Sequence, residues 1–274
     1  MLSIVIVSFN SASVIKACQH EVLVSARFPI IIVDNASTDG SADELSRAYP
    51  TAQLIRMPYN QGYGRAANAG LAEVKTPYAF LLNPDMKVTV LGVEAMLAFA
   101  CQHRDGAVLF APAVAESDFV GKGAVRRDWL IGAALLFRMD AFLGSDFFDP
   151  NIFLFFEETD LCRRLCVANQ GLLLNTDIYL HHQLGQSVAP NPRINSLKDW
   201  HFGWSRLYFL YKHNLLRGRL AGWRLSVQIL LKAAIAMRSV KRSMYLNRAK
   251  GMIAYMRGEA AFMPNGRAQR TDRL

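Results

Sequence analysis

Four short runs of branched apolar residues, each delivering an Asn or Asp at or just beyond its carboxyl end, constrain this chain more than any other feature. They read SIVIVSFN from Ser3, PIIIVDN from Pro29, AQLIRMP from Ala52 and YAFLLNPD from Tyr78. The runs are continuous rather than alternating, the pattern of strands buried on both faces. Between them lie stretches with helical spacing at Ser11–Val24, Ala42–Ala48 and Tyr63–Val74, the first with Ser11 or Ser13 as its N-cap. This rhythm predicts an α/β fold with an open, mostly parallel central sheet flanked by helices. Ligands of such sheets bind at the carboxyl ends of the strands. The polar residues fall there: Ser8 and Asn10, then Asp34, Asn35, Ser37 and Asp39, then Asn60, Gly62 and Gly64, then Asn83 and Asp85. One Asn or Asp after a strand is an ordinary turn former. Four consecutive strands doing the same point to a binding rim.

The downstream pattern predicts a helix over Leu91–Cys101, a strand in AVLFAPAV, a polar segment over 115–128, and a strand in WLIGAALLF broken by Gly132. A helix over Glu157–Ala168 and short strands in GLLLN and IYLHH follow, then helical spacing from about Lys198 to 258 and a polar tail. The expected domains are 1–214, with the sheet, and 215–274, a helical extension. At 274 residues and 52% hydrophobic the chain is too apolar for disorder. Cys18, Cys101, Cys162 and Cys166 contain no CxxC pair, which excludes a zinc ribbon and fits reduced thiols in the cytoplasm. The N-terminal apolar run has no basic residue ahead of it and reads as a strand, not a signal peptide. The stretch Leu225–Met237, broken by Gln228 and Lys232, is too short to span a bilayer, so no transmembrane helix is expected.

Two nucleotide-binding motifs are excluded. GYG at 62–64 lacks the rest of G-x-G-x-x-G, and there is no GxxxxGK[ST]. The ordered set SIVIVSFN, IIVDNASTDGS, NQGYGRAANAG, FLLNPD, WLIGA and FFEETDLCRRL instead resembles the inverting family 2 glycosyltransferases of GT-A fold, above all their bacterial rhamnosyltransferase-like branch. The likeness covers about residues 2–215.

That resemblance implies a role for each matched position. Ser8, Asn10 and Asp34 would line a nucleoside pocket, with Asn35 and Asp39 supporting its loop. Asn60, Gly62, Arg65 and Asn68 would border base and ribose. Asn83-Pro84-Asp85 stands where the family carries its DxD metal motif, with Asn83 in place of the first acid. Asp85 would ligate Mg²⁺ or Mn²⁺ bridging the diphosphate of a nucleotide-diphospho-sugar donor, and His182 would join it or touch the diphosphate. Glu158 would be the general base, and Trp129, Gly132, Ala133 and Glu157 would face the acceptor. The physics of FFEETDL agrees: aromatic neighbours and nearby acids raise a carboxyl pKa toward that of a useful base. The same acids would also serve to cap a helix, since carboxylates in a first turn offset its dipole. His182-x-x-Gly185-x-Ser187 resembles a further family motif.

Charge is segregated along the chain. Residues 1–192 hold 14 Lys+Arg against 19 Asp+Glu, net −5; residues 193–274 hold 17 against 3, net +14. Over 215–257, Trp223, Val227, Leu230, Leu231 and Ile235 can share one helical face, with Arg217, Arg219, Arg224, Lys232, Arg238, Lys241 and Arg242 around it. A basic amphipathic helix with Trp fits an anionic membrane surface, and the rival is packing on the domain or on a second copy. No nucleic-acid motif accompanies the charge. The expected activity is metal-dependent, inverting sugar transfer to a saccharide or lipid-linked acceptor, in the cytoplasm or peripheral on the inner face of the plasma membrane. The competing readings are a sugar-1-phosphate nucleotidyltransferase and a non-catalytic nucleotide-sugar-binding protein.

Overall fold

The computed structural model describes residues 1–119, 121–143, 147–183 and 192–269. The chain forms two compact units: residues 1–59, 65–149 and 158–188 make the first, and 60–64, 150–157 and 189–274 the second. In chain order the first part carries β1 (Leu2–Ser8), α1 (Ala12–Val24), β2 (Ile30–Asp34), α2 (Ser41–Ala48), β3 (Gln53–Arg56), α3 (Tyr63–Ala72), β4 (Tyr78–Leu82) and β5 (Met86–Lys87). It continues with α4 (Val90–Gln102), β6 (Leu109–Ala113), β7 (Ala124–Arg126), β8 (Ala134–Arg138), α5 (Glu157–Val167), β9 (Leu172–Tyr179) and β10 (His181–His182).

Eight strands form one mixed sheet in the order β3-β2-β1-β4-β8-β6-β9-β7. The first four are parallel to one another, as continuous apolar runs joined by helices require. β8 enters antiparallel between β4 and β6. Its register pairs Leu82 with Ala134, so the start of β8 lies on the same rim as the end of β4. Ile4, Ile6, Ile32, Phe80 and Leu82 turn to one face and pack on Ile15 and Val22 of α1, Leu45 of α2 and Met96 of α4. Fully burying such side chains contributes about 1.5–3 kcal/mol each.

Three local expectations need correction. The polar segment 115–128 contains a strand, β7, which pairs antiparallel with β9. GLLLN and IYLHH are not two separate strands. β9 runs through the polar residues between them, where Asn175 Oδ1 accepts from the Asp177 and Ile178 amides at 2.8 and 3.1 Å and a register shift against β6 takes up the irregularity. His181–His182 is its own short strand, paired antiparallel with β5. Finally, β8 begins at Ala134, beyond Gly132, rather than being broken by it.

The second unit is helical, with α6 (Pro192–Lys212), α7 (Arg219–Ile235) and α8 (Ser239–Met256). α6 starts six residues before the expected position, with Pro192 at its first turn where a missing N–H costs nothing. Leu207 of α6, Ile229 of α7 and Ala249, Met252 and Met256 of α8 share a core. α6 and α8 cross through reciprocal glycines: a Cβ on Gly203 would lie 1.9 Å from Arg248 O, and one on Gly251 would lie 1.9 Å from Trp200 O. Backbone cannot yield as a side chain does. Gly251→Ala is therefore expected to cost about 2–3 kcal/mol or more, despite the better helix propensity of Ala. A urea midpoint equal to the parent's would show that the crossing tolerates a methyl group.

Candidate active site

The loops after β1 and β2 are tied to each other at the rim. Asn10, with φ 52°, donates its amide to Ser37 Oγ at 2.9 Å, and its Oδ1 accepts from the Thr38 amide at 2.8 Å. Ser8 is buried, its Oγ 3.0 Å from Ser11 Oγ, and its carbonyl accepts from the Asn35 amide at 2.8 Å. Asp39 is exposed and its Oδ1 accepts from the Ser41 amide at 2.9 Å, fixing the entry to α2. Asp34, at the end of β2, is buried; its Oδ2 accepts from the Ser37 amide at 3.1 Å. Its Oδ1 is buried and accepts from none of the described residues.

Asp85 sits in the turn between β4 and β5 and is 1% exposed. The turn is closed by the Met86 amide on Asn83 O at 3.1 Å, and the Asn83 amide reaches Ala133 O at 2.9 Å. β10 lays His182 opposite Met86 and brings His182 Nε2 to 3.2 Å from Asp85 Oδ1. Adjacent ligands of one octahedral divalent ion at ~2.1 Å lie ~3.0 Å apart, so this pair fits two positions of one coordination sphere. Among the described residues no three His, Cys, Asp or Glu side chains form a metal cage. A divalent ion here would need the remaining oxygens from a substrate, as phosphate-bound Mg²⁺ usually does. Gly185 and Ser187, downstream of His182, lie outside the described residues.

Sequence reasoning missed Gln19. It is buried on α1 and donates Nε2 to Asn83 O at 2.7 Å and to Pro84 O at 3.4 Å, so it braces the turn that carries Asp85. The signal was available: Gln19 interrupts the apolar stripe Ile15, Val22 and Leu23 at helical spacing.

Glu158 opens α5 beside the start of β8. A Cβ on Gly132 would lie 3.1 Å from Glu158 Cβ and Cγ and 3.4 Å from its carboxyl carbon, so a larger residue would have to push the Glu158 side chain aside. Burial pushes the Glu158 carboxyl above its ordinary range, against hydrogen bonds from the Glu158 and Thr159 amides and the Thr159 hydroxyl that favour the charged form. Behind it, burial pushes the Cys162 thiol up to about 12, leaving an inert wall. Asp160 pairs with Arg164 one turn on, at 2.9 Å. Ala133 is buried and Trp129 is half-exposed.

The remaining candidates divide by unit. In the first, Arg65 is half-buried, and desolvation lowers its pKa against the opposing pull of Tyr59 and Asp149. The Asn68 side chain donates to Phe148 O at 2.8 Å and accepts from the Phe148 amide at 2.9 Å. Its amide thus ties α3 to the 147–149 segment. In the second unit, Asn60 Oδ1 accepts from the Gly62 amide at 3.0 Å, and Gly62 adopts φ 83°. A Cβ there would meet Phe153 O at 2.1 Å. Glu157 is buried. Phe155 and Phe156 just before it both adopt left-handed backbone, φ 67° and 71°, and both rings pack on Phe202 of α6. Two consecutive bulky residues in that region carry strain of order 1–3 kcal/mol each.

The family model "Glycosyl transferase family 2" matches residues 3–163. N-acetylglucosaminyl-diphospho-decaprenol L-rhamnosyltransferase of Mycobacterium tuberculosis is 24% identical over 253 residues, covering 70% of this chain and 80% of that protein. Among solved structures, residues 1–349 of S. aureus TarS align with a TM-score of 0.57 at 14% identity, covering 94% of this chain and 92% of that one. A mannosyltransferase from Pyrobaculum calidifontis, solved with GDP-Man and Mn²⁺, aligns with a TM-score of 0.58 at 12% identity, covering 92% and 86%. The structural likenesses show the GT-A fold.

The raised Glu158 pKa has a consequence for stability. The folded protein holds this proton more tightly than the unfolded chain does. The stabilising contribution is complete below the ordinary Glu range and is lost as pH rises through the raised value. Glu158→Gln removes that loss. The melting temperature of the variant minus that of the parent is expected to grow from about pH 4 to about pH 8. A difference independent of pH would mean that Glu158 ionises as it does in water.

Proposed function

Because the chain belongs to glycosyl transferase family 2, we propose that it catalyses metal-dependent, inverting transfer of a sugar from a nucleotide-diphosphate donor. The donor is dTDP-L-rhamnose or a UDP-hexose, and the acceptor is a saccharide or a lipid-linked saccharide of bacterial surface polysaccharide synthesis. The rhamnosyltransferase relative, named for a diphospho-decaprenol acceptor, supports both choices. The observation that carries the reading is a continuous link at the rim. The Asn83 amide binds Ala133 O, and Gly132 next to it lies against Glu158. One short segment thus couples the turn that carries Asp85 to the base.

In the proposed reaction Glu158 accepts the proton of the acceptor hydroxyl as that oxygen bonds to the anomeric carbon. The bond from that carbon to the diphosphate breaks on the opposite face, which inverts the centre and releases the nucleoside diphosphate. The proton ends on Glu158. Mg²⁺ or Mn²⁺, held by Asp85 and His182, would offset charge on the departing diphosphate. Asp34 Oδ1 suits the imide N–H of a pyrimidine base, with Ser8, Asn10, Asn35 and Asp39 shaping its loop. Asn68 uses one amide hydrogen and one oxygen lone pair on Phe148 and keeps its proposed place beside the base and ribose. Trp129, Gly132 and Ala133 remain the proposed acceptor side and Arg65 the proposed ribose side; the roles that the resemblance implies for Glu157, Asn60 and Gly62 stay proposals for the second unit. A nucleotidyltransferase would need a glycine-rich, basic N-terminal loop, and SIVIVSFNSAS has neither feature. A non-catalytic relative would have no need of both Asp85 and Glu158.

Two variants test the assignment. Asp85→Asn is expected to abolish the Mn²⁺-dependent part of the thermal shift given by dTDP or UDP, since a ligand raises the melting temperature only by binding the folded state. Retention of that part would remove Asp85 from the metal site. Glu158→Gln is expected to keep the nucleotide-induced shift and to slow nucleoside-diphosphate release by roughly 10²–10⁴-fold, the usual contribution of a general base. Equal loss of nucleotide binding would give Glu158 a donor-site role instead.

A further inference from the structure

α7 is apolar on two opposite faces, and among the described residues only one is covered. Gly222, Ser226, Ile229 and Ala233 are buried, with Leu225 and Leu230 packed at the edges of the same core. Leu230 therefore turns inward, unlike its expected place on the outer face. Leu220, Trp223, Val227, Leu231 and Ile235 recur every three or four residues on the other side and stand exposed, Leu220 at 80% and Ile235 at 79%. Past the helix end Met237 and Val240 are exposed as well. Single exposed apolar residues need no explanation, but five at helical spacing on one face mark an interaction surface.

The charge around the row selects the partner. Arg217, Arg224, Lys232, Arg238, Lys241 and Arg242 are all exposed, and no Asp or Glu occurs from 215 to 258. A second copy placed on this face would bring two cationic rims together, which costs rather than gains energy. Nucleic acid would satisfy the cations but leave the Leu, Ile and Val side chains in water. An anionic lipid surface takes both: aliphatic side chains enter the headgroup–acyl boundary, Trp223 sits at the interface, and the cations meet lipid phosphates. No helix among the described residues is long and apolar enough to cross a membrane, so the contact is with the surface.

We propose that the outer face of α7, with the α7–α8 turn, is a docking surface for an anionic lipid bilayer. The inference does not rest on the reaction proposed above, although it would bring the chain to lipid-linked acceptors. The test is co-sedimentation of the full chain with phosphatidylcholine vesicles containing phosphatidylglycerol, against pure phosphatidylcholine. Binding is expected only with phosphatidylglycerol. It should weaken as salt rises from about 0.1 M to about 1 M, where screening shortens from ~10 to ~3 Å. Trp223 emission is expected to shift to the blue on binding, and Trp223→Phe to remove the shift.

Replacing Arg238, Lys241 and Arg242 together by Ala should lower vesicle partitioning roughly a hundredfold, about fivefold for each cation at an anionic surface. Leu231→Ser with Ile235→Ser, both at exposed positions, should also weaken it without lowering the melting temperature. Equal binding to both vesicles, binding to neither, or insensitivity to salt would overturn the proposal. So would a dimer in light scattering that the Leu231/Ile235 variant dissolves. The Mn²⁺-dependent nucleotide shift, read on the same variants, should be unchanged, so loss of docking and loss of donor binding are separate results.

Discussion

The antiparallel entry of β8 beside β4 is the constraint on which the candidate site depends. In a purely parallel sheet the carboxyl ends of β1, β2, β3 and β4 would supply loops to one rim, and the β4 loop would have no strand start beside it. Because β8 runs the other way, it starts at that rim, and the Asn83 amide closes onto Ala133 O at 2.9 Å. That single hydrogen bond sets the Asp85 turn against the segment that holds Glu158. Gly132 then matters for its missing side chain: a methyl group there would press on the Glu158 Cβ and Cγ at 3.1 Å.

The same rim is where the fold accepts unfavourable terms. Asp34 and Asp85 are buried at the strand ends, and desolvation opposes ionisation of Glu158. These terms are offset by the sheet beneath, where every residue of β1, β2 and β4 is buried and most are apolar. A stability cost concentrated at one edge of an otherwise well-packed sheet is the usual mark of a working site.

The strands and the rim were legible because they rest on local rules: a continuous apolar run, a helical stretch, a polar residue at the strand end. What escaped the sequence depends on pairing across distance. β7 looked like a polar loop because an edge strand against β9 needs little apolar content of its own. The resemblance places Asn68 beside the donor, and its link to the Phe148 backbone 80 residues away is not visible in the sequence. α7 was read as a helix with one apolar face. Its second apolar face, and the inward turn of Leu230, emerge only once α6 and α8 define which side is core. Gln19 shows the intermediate case, since its place on an apolar stripe is visible but its partner in the Asp85 turn is not.

Electrostatics joins these parts. Residues 1–192, which supply the rim, carry net charge −5, and Asp34, Asp39, Asp85 and Glu158 are among their acids. A diphosphate approaching such a rim meets repulsion, and the chain offers neither a P-loop nor a glycine-rich cradle to overcome it. On the proposed reading a cation held by Asp85 and His182 would offset that repulsion, with further oxygens supplied by the donor. Metal and donor would then bind most favourably as one species. Neither alone would satisfy both the carboxylate of Asp85 and the charge of the diphosphate, so on that reading affinity for each would depend on the presence of the other.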